Sequence, residues 1–195
     1  MTASGFDSAL AFVFKWEGGL SDDPDDPGGR TNRGITQSEY DRWREQRGLA
    51  PRDVAAVGDD ELMVIYYTNY WKKARCDVLA EKEDLLQFDT AVNMGVARAV
   101  NFIQAAAGTA VDGVFGEATL QAVNAFKYLP LVISYCDQRE ACYRGLAQKH
   151  PKLTKFLGGW LNRLNSVRHE IGVPGCEGPQ LFDFGGLVHV AKAPD

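Results

Sequence analysis

The sequence predicts a mainly α-helical fold carrying one small β-hairpin. Two observations predict it. Apolar residues recur at three- and four-residue steps through most of the chain, and between about residues 20 and 36 this period gives way to a stretch dense in aspartate, proline and glycine. At 195 residues and 45% hydrophobic content, the chain is long enough for one well-buried domain or two small ones.

Taken in order, Phe6, Leu10, Val13 and Glu17 follow at steps of four, three and four, so residues 6 to 17 form a helix whose apolar stripe ends on a carboxylate. Gly18 and Gly19 stop it, and SDDPDDPGG at residues 21 to 29 is a loop. RGIT at residues 33 to 36 suffices only for a short strand, so residues 20 to 36 read as a small hairpin or irregular sheet. Thr36 and Glu39 match the T-x-x-E capping box and start a helix running to Gly48. Further helices are predicted at 59 to 73, opened by Asp59, and at 83 to 94, 96 to 107, 117 to 127, 131 to 149 and 153 to 171. Residues 172 to 195 offer glycine and proline but no helical period, and read as a loop-like tail.

Composition excludes several function classes. The formal charge of −5 argues against nucleic acid, whose binders carry a basic surplus. No apolar run is long enough to span a bilayer, and the first residues lack a basic leader and a cleavage site, so synthesis in the cytoplasm without a signal peptide is expected. His150, His169 and His189 show no metal-ligand spacing and no Cys-x-x-Cys pair occurs, so no metal or cofactor is expected. Cys136 and Cys142 lie six positions apart on one helix, roughly 9 Å between Cα atoms, and all four cysteines read as reduced. An EF-hand loop fails as well. Asp23, Asp25 and Gly28 match its positions one, three and six, but Pro27 and Gly34 fall where ligands are required.

One constellation carries chemistry. Hydrolysis of a glycosidic bond needs a protonated carboxyl group to serve the leaving oxygen and a second group to place water or stabilise developing positive charge. Glu17 suits the first role, because an apolar stripe and a helix C-terminus both favour the neutral form. Nine positions later, Asp26 lies among turn residues that expose a carboxylate to solvent, and the Thr31 hydroxyl can hold a water beside it. The same spacing is equally that of a polar helix end followed by a turn.

Glu17-Gly18-Gly19 followed by Asp26-Pro27-Gly28-Gly29-x-Thr31-x-x-Gly34-Ile35-Thr36 resembles the signature of glycoside hydrolase family 108, N-acetylmuramidases found among phage endolysins and some bacterial secretion systems. The order of acid, second carboxylate and threonine is also similar to that of phage-type lysozymes. The resemblance continues in Tyr66-x-x-x-Tyr70-Trp71 and in Phe88-Asp89-x-Ala91-Val92-Asn93-x-Gly95. Aromatic faces suit sugar rings, so Tyr66 and Tyr70 are candidate substrate contacts, with helix packing the competing role. Asp89 and Asn93, four apart on one helix face, either contact the sugar or tie the hairpin to the helix. From about residue 98 to 171 the chain is similar to the predicted peptidoglycan-binding region that accompanies this family. There Asp112 and Gly113 resemble the D-G-x-x-G-x-x-T turn, which makes Asp112 a candidate wall contact. Gly159-Trp160-Leu161-Asn162-Arg163 is a further family-like segment that reads more simply as helix core.

What the resemblance implies is a lysozyme-like helical fold whose cleft lies between the end of the Glu17 helix and the Asp26 to Thr31 loop, next to the hairpin. It implies a catalytic region at 1–95, a helical peptidoglycan-binding-like region at 96–175 packed on it, and a tail at 176–195. The activity implied is hydrolysis of the β-1,4 bond between N-acetylmuramic acid and N-acetylglucosamine by Glu17, Asp26 and Thr31, with inversion favoured by analogy. The expected partner is peptidoglycan, the expected state a monomer, and the expected biology a phage endolysin reaching the wall through a holin or a secretion route. A wall-binding protein without catalysis, a glycosidase of another amino-sugar polymer, such as chitosan, and a structural or secretion-machinery component are the competing functions. Lys149, His150, Lys152, Lys155, Arg163 and Arg168 make residues 149 to 168 locally basic, either a surface for anionic wall or membrane or a solvated helix face.

Overall fold

The computed structural model describes residues 4–22 and 29–174. Among them are eight α-helices, α1 (Ser4–Phe14), α2 (Gln37–Glu45), α3 (Asp59–Tyr66), α4 (Glu83–Met94), α5 (Val96–Ala106), α6 (Glu117–Ala125), α7 (Tyr128–Lys149) and α8 (Thr154–Glu170). Three two-residue strands, β1 (Leu20–Ser21), β2 (Thr31–Asn32) and β3 (Ile35–Thr36), form an antiparallel sheet in the order β1-β2-β3. Leu20 faces Asn32 and Thr31 faces Thr36 across the two ladders. The mainly helical fold and the small hairpin are as predicted, with β1 added at the hairpin's side.

Helix α4 is the centre of the molecule. Every residue from Asp84 to Met94 is buried, so the helix has no solvent face, and it packs against α1, α5 and α8. Around it, Phe6, Trp71 and Phe88 meet edge to face at centroid distances of 5.3 to 5.7 Å. On the far side Trp160 of α8 stacks on Tyr143 of α7 at 5.3 Å, fixing that helix pair to each other. Burying each such side chain contributes about 1.5–3 kcal/mol, which is why this helix anchors the polar groups described below.

Two predicted helices end differently. Helix α1 stops at Phe14, because the amides of Lys15 and Trp16 tighten onto Phe12 O and Val13 O three residues back. Glu17 therefore sits in a turn just past the helix, its own amide on Val13 O at 3.2 Å. The stretch predicted as one helix over 59 to 73 is α3 followed by a π-helical turn, Tyr67–Trp71, closed by Lys72 N on Tyr67 O at 2.9 Å. The wider turn lets Tyr70 and Trp71 both face inward. Helix α3 opens at Asp59 as predicted, with Gly58 as its cap residue.

The start of α2 is half as predicted. Thr36 Oγ1 accepts from Glu39 N at 3.2 Å, but the Glu39 carboxylate turns to the Tyr70 hydroxyl at 2.9 Å instead of back to the cap. Cys76, Cys136 and Cys142 are free thiols, and Cys176 lies outside the described residues.

Candidate active site

Glu17 enters the site from the turn after α1, and its side chain is only 5% exposed. Three elements close on it. From α8, Arg163 Nη1 donates to Glu17 Oε1 at 2.8 Å. From the β2–β3 turn, Gly34 lies so close that a Cβ added there falls 2.5 Å from Glu17 Oε2 and against the Tyr66 hydroxyl. From α3, Tyr66 itself is fully buried and donates to Arg33 O at 2.8 Å. Burial first, then the neighbouring Glu17 and Tyr70, push the Tyr66 hydroxyl well above the ordinary tyrosine range, so it remains a donor.

The turn that presses on Glu17 explains its own sequence. Arg33 and Gly34 have φ of 49° and 77°, the two positive values of a type I′ hairpin turn. Glycine takes such a φ without steric cost, and the contact with Glu17 leaves no room for a side chain. Arg33 is held in this less favoured conformation by Tyr66 on its carbonyl, by Asp59 on its guanidinium at 2.5 Å, and by the Phe14 ring beneath it.

Behind Glu17 runs a line of alternating charges. Arg163 Nε donates to Asp89 Oδ1 at 2.8 Å, and Arg139 Nη2 lies 2.7 Å from Asp89 Oδ2. Arg139 continues to Thr90 Oγ1 at 3.0 Å and to the Tyr143 hydroxyl at 2.9 Å, and Tyr143 donates to Asn93 Oδ1. The side chains of Arg163, Asp89 and Arg139 have no exposed surface. Burial works against both guanidinium charges. For Arg163, Asp89 and Glu17 outweigh it; for Arg139, Tyr143 and Asp89 do. With Glu17 ionised the four groups sum to zero, and loss of one partner from such a buried set costs about 3–5 kcal/mol.

The predicted site residues divide accordingly. Glu17 and Tyr66 are brought together directly, but the Tyr66 ring is fully buried and takes the packing role, with no surface to offer a sugar. Thr31 is buried in β2 and its hydroxyl donates to Gly29 O at 2.8 Å, leaving it able to accept but not to donate elsewhere. Asp26 lies outside the described residues; Arg30 ties the two shoulders of that segment, pairing with Asp22 at 2.8 Å and Asp53 at 3.1 Å. Tyr70 is directed to Glu39. Asp89 and Asn93 have no surface to offer a sugar, so direct contact gives way to support. They tie α4 to α7 and α8, and not to the hairpin. Asp112 stands apart from this network. Its Oδ1 accepts from Val114 N at 2.9 Å and Gln104 Nε2 at 2.7 Å, which together hold its carboxyl below the usual range. Those are the contacts of a turn former. A groove of about 770 Å³ lined by Phe6, Tyr67, Trp71 and Leu85 shares none of these residues.

Sequence inspection missed Arg163 and Arg139 as site residues. Arg163, counted among a basic surface stretch, is instead fully buried, and Arg168 pairs with Asp137 and Glu140. A signal was present. Arg163 falls between Trp160 and Val167 on the apolar face of α8, and Arg139 between Cys136 and Tyr143 on that of α7. An arginine at a core position requires a buried acid.

The family described as glycosyl hydrolase 108 matches residues 10–95, and the family described as "Predicted Peptidoglycan domain" matches residues 98–165. A comparison with curated protein sequences finds no match. Among solved structures, the chain is similar to SagA of Brucella abortus, with 36% identity and a TM-score of 0.76 over 86% of this chain and 94% of that one.

Proposed function

This chain belongs to the glycosyl hydrolase 108 family, and from that premise we propose that it cleaves the β-1,4 bond between N-acetylmuramic acid and N-acetylglucosamine, with Glu17 as the general acid. At the coarser level it is a glycoside hydrolase that acts on peptidoglycan. The single observation that carries the finer reading is the setting of Glu17: one carboxyl, nearly buried, with a guanidinium on one oxygen and a tyrosine and a side-chain-free turn beside the other.

Proton transfer to the leaving oxygen turns Glu17 from a neutral carboxyl into a carboxylate. Arg163 already stands 2.8 Å from the oxygen that takes the charge, so no reorganisation is needed at the moment of reaction. Tyr66 and Gly34 keep the carboxyl from rotating away, which maintains its aim. Asp26 is proposed, from its place in the sequence, as the carboxylate that activates water or stabilises positive charge. Thr31 is proposed to accept a hydrogen bond from that water.

The test is wild type against Glu17→Gln on purified sacculi, with products identified by mass spectrometry. The amide keeps the shape and loses the proton, so the rate falls by about 10²–10⁴ and wild-type products end in reducing N-acetylmuramic acid. Equal activity, or reducing ends of another sugar, overturns the proposal. The endolysin role is proposed on the family resemblance; co-expression with a holin in a bacterial host is then expected to clear the culture with wild type and not with Glu17→Gln.

A further inference from the structure

Helices α7 and α8 reach the site from the part of the chain that matches the peptidoglycan-domain family, and they bring to it only buried charge. Arg163 comes from α8 and Arg139 from α7, with Asp89 of α4 between them. The three groups behind Glu17 carry one net positive charge. None is exposed, so no solvent screens a change in any of them. Among the described residues, the other group facing Glu17 is the Tyr66 hydroxyl from α3, a neutral donor, and the Arg33 guanidinium beside that turn is engaged with Asp59.

On the footing that Glu17 is the acid, we infer that Arg163, clamped by Asp89 and through it by Arg139, is a positioning residue that stabilises the carboxylate left on Glu17. The two helices of the wall-domain region thereby set the pH range of catalysis. Arg163 is gripped at two nitrogens, Nε on Asp89 and Nη1 on Glu17, so its guanidinium cannot follow solvent or swing from the acid. A lysine keeps the charge but cannot span both acids in this way.

The alkaline limb of the pH–activity profile, where the protonated acid is lost, is expected to move in a direction set by the charge removed. Asp89→Asn removes a negative charge behind Arg163, favours the carboxylate, and moves the limb to lower pH by about one unit. Arg163→Gln removes the positive charge and moves it to higher pH by a similar amount. Arg139→Gln, one step farther away, moves it upward by less and leaves both contacts of Arg163 in place. The double variant Asp89→Asn/Arg139→Gln removes one charge of each sign and returns the limb close to the wild-type position. Arg163→Lys leaves the limb in place and lowers kcat with KM unchanged.

A group that merely holds the helices together would lower stability in every case without this pattern of opposite shifts. Circular dichroism identifies the folded variants. The sign can be read from either Arg163→Gln or Arg139→Gln against Asp89→Asn or the double variant, so failure of one to fold leaves the test intact. Limbs that stay fixed, or all move the same way, overturn the inference while Glu17→Gln remains inactive. An active Glu17→Gln overturns the underlying assignment of the acid instead.

Discussion

Arg163 Nη1 donates to Glu17 Oε1 at 2.8 Å across a separation of 146 positions in the chain. The site is therefore shared between the two stretches that match separate families, and α4, at the end of the first, is buried on all sides by contacts that include the second. Expressed without residues 96–195, residues 1–95 would expose Gln87, Asp89, Thr90 and Asn93, whose partners Tyr135, Arg163, Arg139 and Tyr143 lie in the second stretch. The expected outcome is a fragment with no cooperative thermal transition and no clearing of sacculi, checked by circular dichroism and turbidity. A fragment that melts sharply and hydrolyses peptidoglycan would show that the first region stands alone.

Gly34→Ala should be among the most damaging small substitutions. Alanine at a φ of 77° costs about 1–2 kcal/mol, and its methyl must displace Glu17 Oε2 or the Tyr66 hydroxyl. A shift of the acid by about 1 Å is enough for roughly a 100-fold loss of rate. Kinetics on soluble peptidoglycan fragments, with chemical denaturation in parallel, checks both numbers; a variant with wild-type kcat would place the acid elsewhere.

Gln104 is the anchor of the turn that holds Asp112. Its Nε2 faces Asp112 Oδ1 at 2.7 Å, Val114 O at 3.1 Å and Thr119 Oγ1 at 3.2 Å, while its Oε1 accepts from Gly113 N at 3.0 Å. Gln104→Leu removes these bonds and leaves Thr119, the one buried partner among them, without its donor; the expected cost is about 1–3 kcal/mol, with kcat per folded molecule unchanged. Asp112→Asn separates turn from wall contact. A loss confined to melting temperature supports the turn role, and a loss of sacculus binding at unchanged stability supports contact with the wall.

Glu61 gives the fold an acid-dependent contribution. Burial pushes its carboxyl up, but the Tyr40 hydroxyl at 2.6 Å, Arg52 and the Gly58 amide outweigh this and hold it below the ordinary value. A depressed carboxyl stabilises the fold above the unfolded-state pKa of about 4.3 and loses that contribution as pH falls through the folded-state value. Melting temperatures of wild type and Glu61→Gln should therefore differ clearly at pH 6 to 7 and converge as pH falls below about 4. A gap that persists in acid would assign the loss to packing.

Much of the fold was legible in the chain because its signals are local. The spacing of Phe6, Leu10 and Val13, the Thr36 cap and the period across residues 83 to 94 depend only on near neighbours, and the helices appear where those patterns lie. The π turn at Tyr67–Trp71 was not legible, since it depends on what Tyr70 and Trp71 pack against.

For the candidate site, the sequence determined which carboxyl to examine: Glu17, at the end of an apolar stripe and before two glycines, within an ordered family-like signature. Only the tertiary structure decided what surrounds it. An apolar stripe and a helix end were expected to act on Glu17, whereas among the described residues it pairs with Arg163, which is balanced by Asp89 and Arg139, the three coming from three different helices. The physical reason is that helical periodicity reports which face of a segment is buried, but not against which group. The partner of a buried charge is set by how distant helices cross, and that crossing is written in no single stretch of the chain.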